Sequence, residues 1–248
     1  MALRMARLAV LLGLFSGYAW SATLQEDTER YIAIFNGPID QHSAAADTLP
    51  WMGLSDPRLF DILERRILEE KDSGNGFGQR DDRNRVARYV RGLGFSGQPK
   101  YAPTLRQLVA DRGFERFAKA ALEDLPQYGK WNPIISDRAT FEPKYSDDVN
   151  RVRNMLLTDD LLLARLAAKR VFLANREEEL VDRLADTLKK NYRRDGDAET
   201  VNSLGWLIKG VSSAKLPRHL PLLQEVAQNA PDRSVRRHAG DAARSYSP

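Results

Sequence analysis

The sequence of 248 residues predicts an all-α protein, a right-handed α-solenoid (an α-α superhelix) of helical hairpins. Three observations predict it. Apolar residues recur at spacings of three and four, alternating strand patterns are absent, and one hairpin-sized segment recurs along the chain. Hydrophobic residues make up 42% and charged residues 29%, a balance that supplies a sizeable core and excludes a disordered chain.

The first 22 residues stand apart. Arg4 and Arg7 form a basic start, Leu8 to Phe15 is an uncharged apolar run, and Ala19-Trp20-Ser21 fits the small-x-small cleavage pattern. Cleavage is expected after Ser21, with a second position after Ala19. Residues 1–22 therefore read as a signal peptide. The run is short of the roughly 20 residues that a membrane span needs, so no stable membrane insertion is expected after cleavage. Residues 23–248 read as one domain with an irregular insertion at 126–146. The chain has no cysteine and no Asn-x-Ser/Thr sequon. It thus lacks a disulfide framework and a lipobox, and the expected compartment is a bacterial periplasm, with secretion as the alternative. Two of the four net positive charges sit on Arg4 and Arg7, so the rest of the chain is nearly balanced and nucleic acid is not an expected partner.

The repeat is clearest in two copies. Tyr101-Ala102-Pro103-Thr104-Leu105-Arg106-Gln107-Leu108 aligns with His219-Leu220-Pro221-Leu222-Leu223-Gln224-Glu225-Val226. Phe114 to Leu122 then aligns with Val235 to Ala243, and the lead-in Gly94-Phe95-Ser96-Gly97 with Gly210-Val211-Ser212-Ser213. Pro57 and Pro99 lie one unit apart, and Pro103 and Pro221 lie about three units apart, for units of roughly 40 residues. Leu180, Val181, Leu184, Ala185 and Leu188 form the stripe of an amphipathic helix, as do Leu105, Leu108 and Val109. Pro57, Pro99, Pro103, Pro217 and Pro221 fall at helix starts, where a missing N–H costs nothing. In the last helix Val235, Ala239 and Ala242 face inward, and Arg233, Arg236, Arg237, Asp241 and Arg244 face out.

These units resemble the HEAT/armadillo superfamily of α-solenoids over residues 44 to 246, most clearly at 86–125 and 201–246. The chain also looks like small exported bacterial HEAT-like proteins of unassigned activity. The resemblance implies stacked helical hairpins with an extended groove, and a scaffold or binding role.

Pro126 to Ser146 interrupts the repeat and carries Tyr128, Trp131, Phe141 and Tyr145 among three prolines. An aromatic-rich irregular stretch is expected to be either a binding loop or a clasp over the groove. Tyr128, Trp131, Arg138, Phe141 and Tyr145 are the candidate protein-binding residues, because aromatics and arginine dominate interface hot spots. The glycine-rich stretch within Lys71–Asp82 matches neither a dinucleotide loop nor a P-loop nor an EF-hand, and reads as an inter-helix loop. Of the clusters Asp81-Asp82, Asp147-Asp148, Asp159-Asp160 and Glu177-Glu178-Glu179, three directly precede or open a predicted helix, where acids cap free N–H groups, and capping is the expected role. His42, His219 and His238 lack metal-ligand spacing, so no metal, cofactor or catalytic residue is assigned.

The expectation is a non-enzymatic scaffold or adaptor of the periplasm or cell envelope. It would bind a protein partner through the solenoid groove and the 126–146 loop. A chaperone for exported proteins, marked by promiscuous apolar groove residues, is the first alternative. A cell-wall hydrolase is the second, and requires two carboxylates converging across a cleft.

Overall fold

The computed structural model describes residues 23–72, 80–174 and 176–246. Residues 1–22, which the sequence reads as a signal peptide, and the core of the glycine-rich stretch lie outside the described residues. Among the described residues there are twelve α-helices, five short 3₁₀ turns and no strand. The helices are α1 (Leu24–Asn36), α2 (His42–Thr48), α3 (Pro57–Asp72), α4 (Arg80–Phe95), α5 (Ala102–Val109), α6 (Glu115–Ile135), α7 (Asp147–Leu156), α8 (Leu161–Leu173), α9 (Glu178–Asn191), α10 (Ala198–Ser212), α11 (Leu220–Asn229) and α12 (Arg233–Arg244). Consecutive helices pack as six pairs, and the even-numbered helices stack in two runs, α2–α4–α6 and α8–α10–α12. The architecture is an α-solenoid of helical hairpins.

Local chemistry sets the helix starts. Thr23 and Glu26 form a reciprocal capping box at α1, and Asp160 caps α8 by accepting from the Leu162 and Leu163 N–H groups. Ser146, Asp197 and Asp232 cap α7, α10 and α12. Stripe residues then bury one face of each helix. In α9, Leu180, Val181, Leu184, Ala185 and Leu188 are all buried, and in α12 Val235 and Ala239 are buried beneath exposed arginines.

The repeat extends to individual contacts. Tyr101 and His219 each close a 3₁₀ turn, Pro99–Tyr101 and Pro217–His219, just before α5 and α11. The Tyr101 hydroxyl donates to Asp61 of α3 at 2.8 Å, and His219 Nε2 lies 2.8 Å from Asp182 of α9. Lys100 and Arg218, one residue earlier, meet the same two carboxylates.

Residues 126–146 differ from the expected insertion. α6 continues through Pro126 and Pro133 to Ile135, so Tyr128 and Trp131 lie on a helix. Each interior proline costs about 3 kcal/mol in a helix. Both are exposed, on the solvent side of α6. The opposite face buries Leu125, Tyr128, Trp131 and Ile135, each contributing about 1.5–3 kcal/mol, which offsets that cost. Asn132 adds hydrogen bonds from Nδ2 to the Leu54, Phe95 and Ser96 carbonyls at 3.0–3.2 Å, tying α6 to the end of α4. The close approach there rests on Gly97, whose φ is +68° and where a Cβ would come within 2.5 Å of the Gly129 nitrogen.

Regular stacking breaks once. α8 does not pack along α6 as α6 packs along α4; it meets instead the turn Leu49–Trp51, where Trp51 Nε1 donates to the Leu166 carbonyl at 3.1 Å. The fourth pair thus folds back on the first. Asp27 of α1 fastens this closure: its carboxylate is 1% exposed and meets Arg138, Arg151 of α7, and Arg30. Arg138 also meets Asp147 at 2.7 Å.

Candidate functional site

Where α6 and α8 diverge, a cleft of about 220 Å³ opens between them and α4. Pro50 and Trp51 border it from the turn after α2, and Arg91 and Phe95 from α4. Asp124, Tyr128 and Trp131 come from α6, and Leu162, Arg165, Leu166 and Lys169 from α8. Arg165 and Lys169 stand one helical turn apart and so share a face of α8. The aromatic residues are held in fixed positions. Trp131 donates from Nε1 to the Asp160 carboxylate at 2.7 Å and meets Tyr128 edge-on at 5.2 Å. Tyr128 in turn packs against Phe95 at 4.9 Å, and Arg170 lies over Trp51. Such walls give a ligand a preformed apolar surface with few polar groups to orient it.

The electrostatics of the cleft are uneven. Asp124 Oδ2 is buried and lies 2.5 Å from Arg91 Nη2, an ion contact whose angles do not make a directed hydrogen bond. Burial pushes the Asp124 carboxyl above the usual carboxylate range, despite Arg91 pulling it down. Lys169 is pushed the other way, below the usual lysine range, first by burial and then by Arg165 and Arg91. Asp124 only partly offsets this. Burial likewise holds the Tyr128 hydroxyl well above its ordinary value. Arg165 finds Glu199 at 3.5 Å, whereas among the described residues Lys169 has no carboxylate within ion-pair distance. Three cations therefore face one cleft that contains a single carboxylate.

The five residues singled out in the sequence do not share a site. Tyr128 and Trp131 are 2% and 5% exposed and form the cleft wall. Arg138 is engaged by Asp27 and Asp147 and lies over the half-buried Phe141 ring. Tyr145 is half-buried, with Lys144 and Arg153 over its ring. Arg91, Asp124, Arg165 and Lys169 were missed. One signal was present: Arg165 interrupts the otherwise apolar Leu161–Ala168 run of α8 and Lys169 ends it one helical turn later, opposite a face that buries Leu163, Ala164, Ala167, Ala168 and Val171.

All four acidic clusters lie at helix N-termini. Asp81 and Asp82 are in the first turn of α4, and Asp147 and Asp148 in that of α7. Asp159 and Asp160 lead into α8, and Glu177 to Glu179 open α9. Among the described residues none of these clusters lines the cleft. His42 is buried and bonded to the Tyr89 hydroxyl at 2.5 Å. Among the described residues no group of three or more His, Asp or Glu side chains could hold a metal ion, and no helix is long and apolar enough to cross a membrane.

No family model matches the chain, and no curated protein matches it. A solved structure of human deoxyhypusine hydroxylase in complex with glycerol is similar, with 16% identity, a TM-score of 0.35 and coverage of 91% of each chain. One expectation is corrected by this finding. The expectation of a non-enzymatic scaffold binding its partner through the groove and residues 126–146 is not kept, and a similar solved structure is that of an enzyme. A repeat of helical hairpins is no ground for excluding catalysis. At this similarity no chemistry passes from one protein to the other.

Proposed function

We propose that this helical-repeat protein binds a small organic anion in the cleft between α4, α6 and α8. The observation that carries the reading is the excess of cations there, with Arg91, Arg165 and Lys169 around the single carboxylate of Asp124. A ligand carboxylate or phosphate at Lys169 would supply the counter-charge that the fold withholds, and its carbon skeleton would lie against Trp51, Tyr128 and Trp131. Bound anion favours the charged lysine, so it moves the Lys169 pKa back up.

The test is NMR titration of protein labelled at the lysine side chains, with acetate, benzoate and inorganic phosphate as probes. The expected result is a rise in the Lys169 pKa with saturable shifts of the Trp51 and Trp131 indole signals. Dissociation constants of about 1 mM, some −4 kcal/mol, suit single anionic groups of this size. Unmoved Lys169 and indole signals at saturating probe would overturn the reading.

The opposed displacements of Asp124 and Lys169 favour a second reading, proton transfer to or from the bound ligand. Exchange of the methyl protons of pyruvate in D2O tests it. Exchange faster than in buffer, lost in both Asp124→Asn and Lys169→Gln, is the supporting result, and a buffer-level rate is the opposing one.

The N-terminal segment adds an exported location to the proposal, in keeping with the small exported helical-repeat proteins that the sequence resembles. Intact mass of the protein recovered from its native host tests this. A mature chain beginning after Ser21 or Ala19 supports export, and one retaining Arg4 and Arg7 opposes it.

A further inference from the structure

Beyond Lys169 the row of even-numbered helices continues to α10, and there Trp206 gathers two ammonium groups. Lys169 of α8 lies 5.3 Å from the Trp206 ring centroid and Lys209 of α10 lies 4.5 Å from it, while Phe172 meets the same ring edge-on at 6.0 Å. Among the described residues neither lysine has a carboxylate within ion-pair distance. Nearer the cleft the cations of the row are paired: Arg88 meets Asp47, Arg91 meets Asp124 and Arg165 meets Glu199. An indole face steadies an ammonium group without neutralising it. The two lysines are thus held in place with their full charge still available. Beyond Trp206 lies a hollow of about 480 Å³ bordered by Trp206, Lys209 and His238, and also by Asp197 and Asp232, whose carboxylates accept from backbone N–H groups at the starts of α10 and α12.

We infer that Lys209, with Lys169 and Trp206, forms a second anion subsite, and that the ligand of the cleft carries two anionic groups joined by a short spacer. The inference rests on the proposed function, because Lys169 is shared between the two subsites. One group meets Arg165 and Lys169 inside the cleft, and the other meets Lys209 across the indole. Trp206 is a positioning residue: it fixes both ammonium groups and itself holds no charge.

The experiment is a titration of the full mature chain with linear dicarboxylates of increasing length, from malonate to suberate, with acetate as the single-anion reference. Binding is read by calorimetry and by the Lys169 and Lys209 side-chain NMR signals. Affinity is expected to rise at least tenfold over acetate at one preferred length, with both lysine signals moving together. Lys209→Gln is expected to abolish that rise. Trp206→Leu keeps both charges and is expected to flatten the length preference without removing binding. A series with no preferred length, or a rise that survives Lys209→Gln, overturns the second subsite. Failure of acetate itself to move Lys169 overturns the parent reading instead, so the two failures are distinguishable. Circular dichroism and thermal unfolding of each variant confirm that it folds, since Lys209 is exposed and Trp206 half-buried.

Discussion

Asp27 and Asp124 are both carboxylates held by arginines, in opposite electrostatic situations. Asp27 lies almost wholly out of water, and both of its oxygens accept hydrogen bonds, from Arg30, Arg138 and Arg151, while Asp147 shares Arg138 and Arg151. Every element there comes from a segment that must meet for the fourth helix pair to close on the first. Asp124 is partly open to water, lacks a directed hydrogen bond at Oδ2, and stands among cations that outnumber it. A buried carboxylate whose oxygens are all taken up by hydrogen bonds inside the chain fastens the fold. One left with surplus charge beside a cleft keeps free energy available for a ligand.

The largest expected effect tests the first half of that contrast. Asp27→Ala leaves Arg151 buried without its partner, which costs about 3–5 kcal/mol. The urea midpoint should fall accordingly, with anion binding by the surviving folded fraction unchanged. A loss below about 1 kcal/mol would show that the knot does not hold the closure.

A strain in neutral backbone provides the control for charge. Gly97→Ala places a Cβ at φ +68° against Gly129, and should cost at least about 1–3 kcal/mol in unfolding without changing the salt dependence of stability. Equal stability of this variant and the natural chain would mean that α4 and α6 can separate there freely.

Lys169→Gln reaches the second half. Removing one of the crowded cations should change stability by less than about 1 kcal/mol while weakening acetate and phosphate binding by about tenfold, read by titration calorimetry. Undiminished binding would place the anion elsewhere.

The smallest effect concerns pH. The Asp124 carboxyl titrates above its unfolded value, so the folded state holds its proton more tightly. The stability this gives is fully present below the unfolded pKa and is lost as pH rises through the folded one. Asp124→Asn removes that dependence. The stability of the variant relative to the natural chain should therefore rise as pH climbs through the folded pKa of Asp124, by under about 1 kcal/mol in all. A difference of the opposite slope would show that Arg91 outweighs burial.

Much of the architecture was legible in the sequence, for a local reason. Apolar spacing, N-terminal caps and prolines at helix starts act within one or two turns, and the hairpin repeat from Tyr101 to His219 carries even the contacts to Asp61 and Asp182. The extent of α6 was not legible. Pro126 and Pro133 are strong local breakers, and only the burial of Tyr128, Trp131 and Ile135 against α4 and the first pair decides that the helix continues. The cleft was less legible still. Arg91, Asp124 and Lys169 belong to three different helices, and no spacing along the chain brings them together.

What the sequence by itself determined is the class of elements and their pairing, because helix formation and hairpin packing depend on neighbours a few residues away. Only the tertiary structure decided where the stacking breaks, which carboxylate is fully hydrogen-bonded and which keeps an oxygen without a directed bond beside a cleft. Those outcomes depend on how water is excluded between helices far apart in the chain, and desolvation sets the strength of every charge in the cleft.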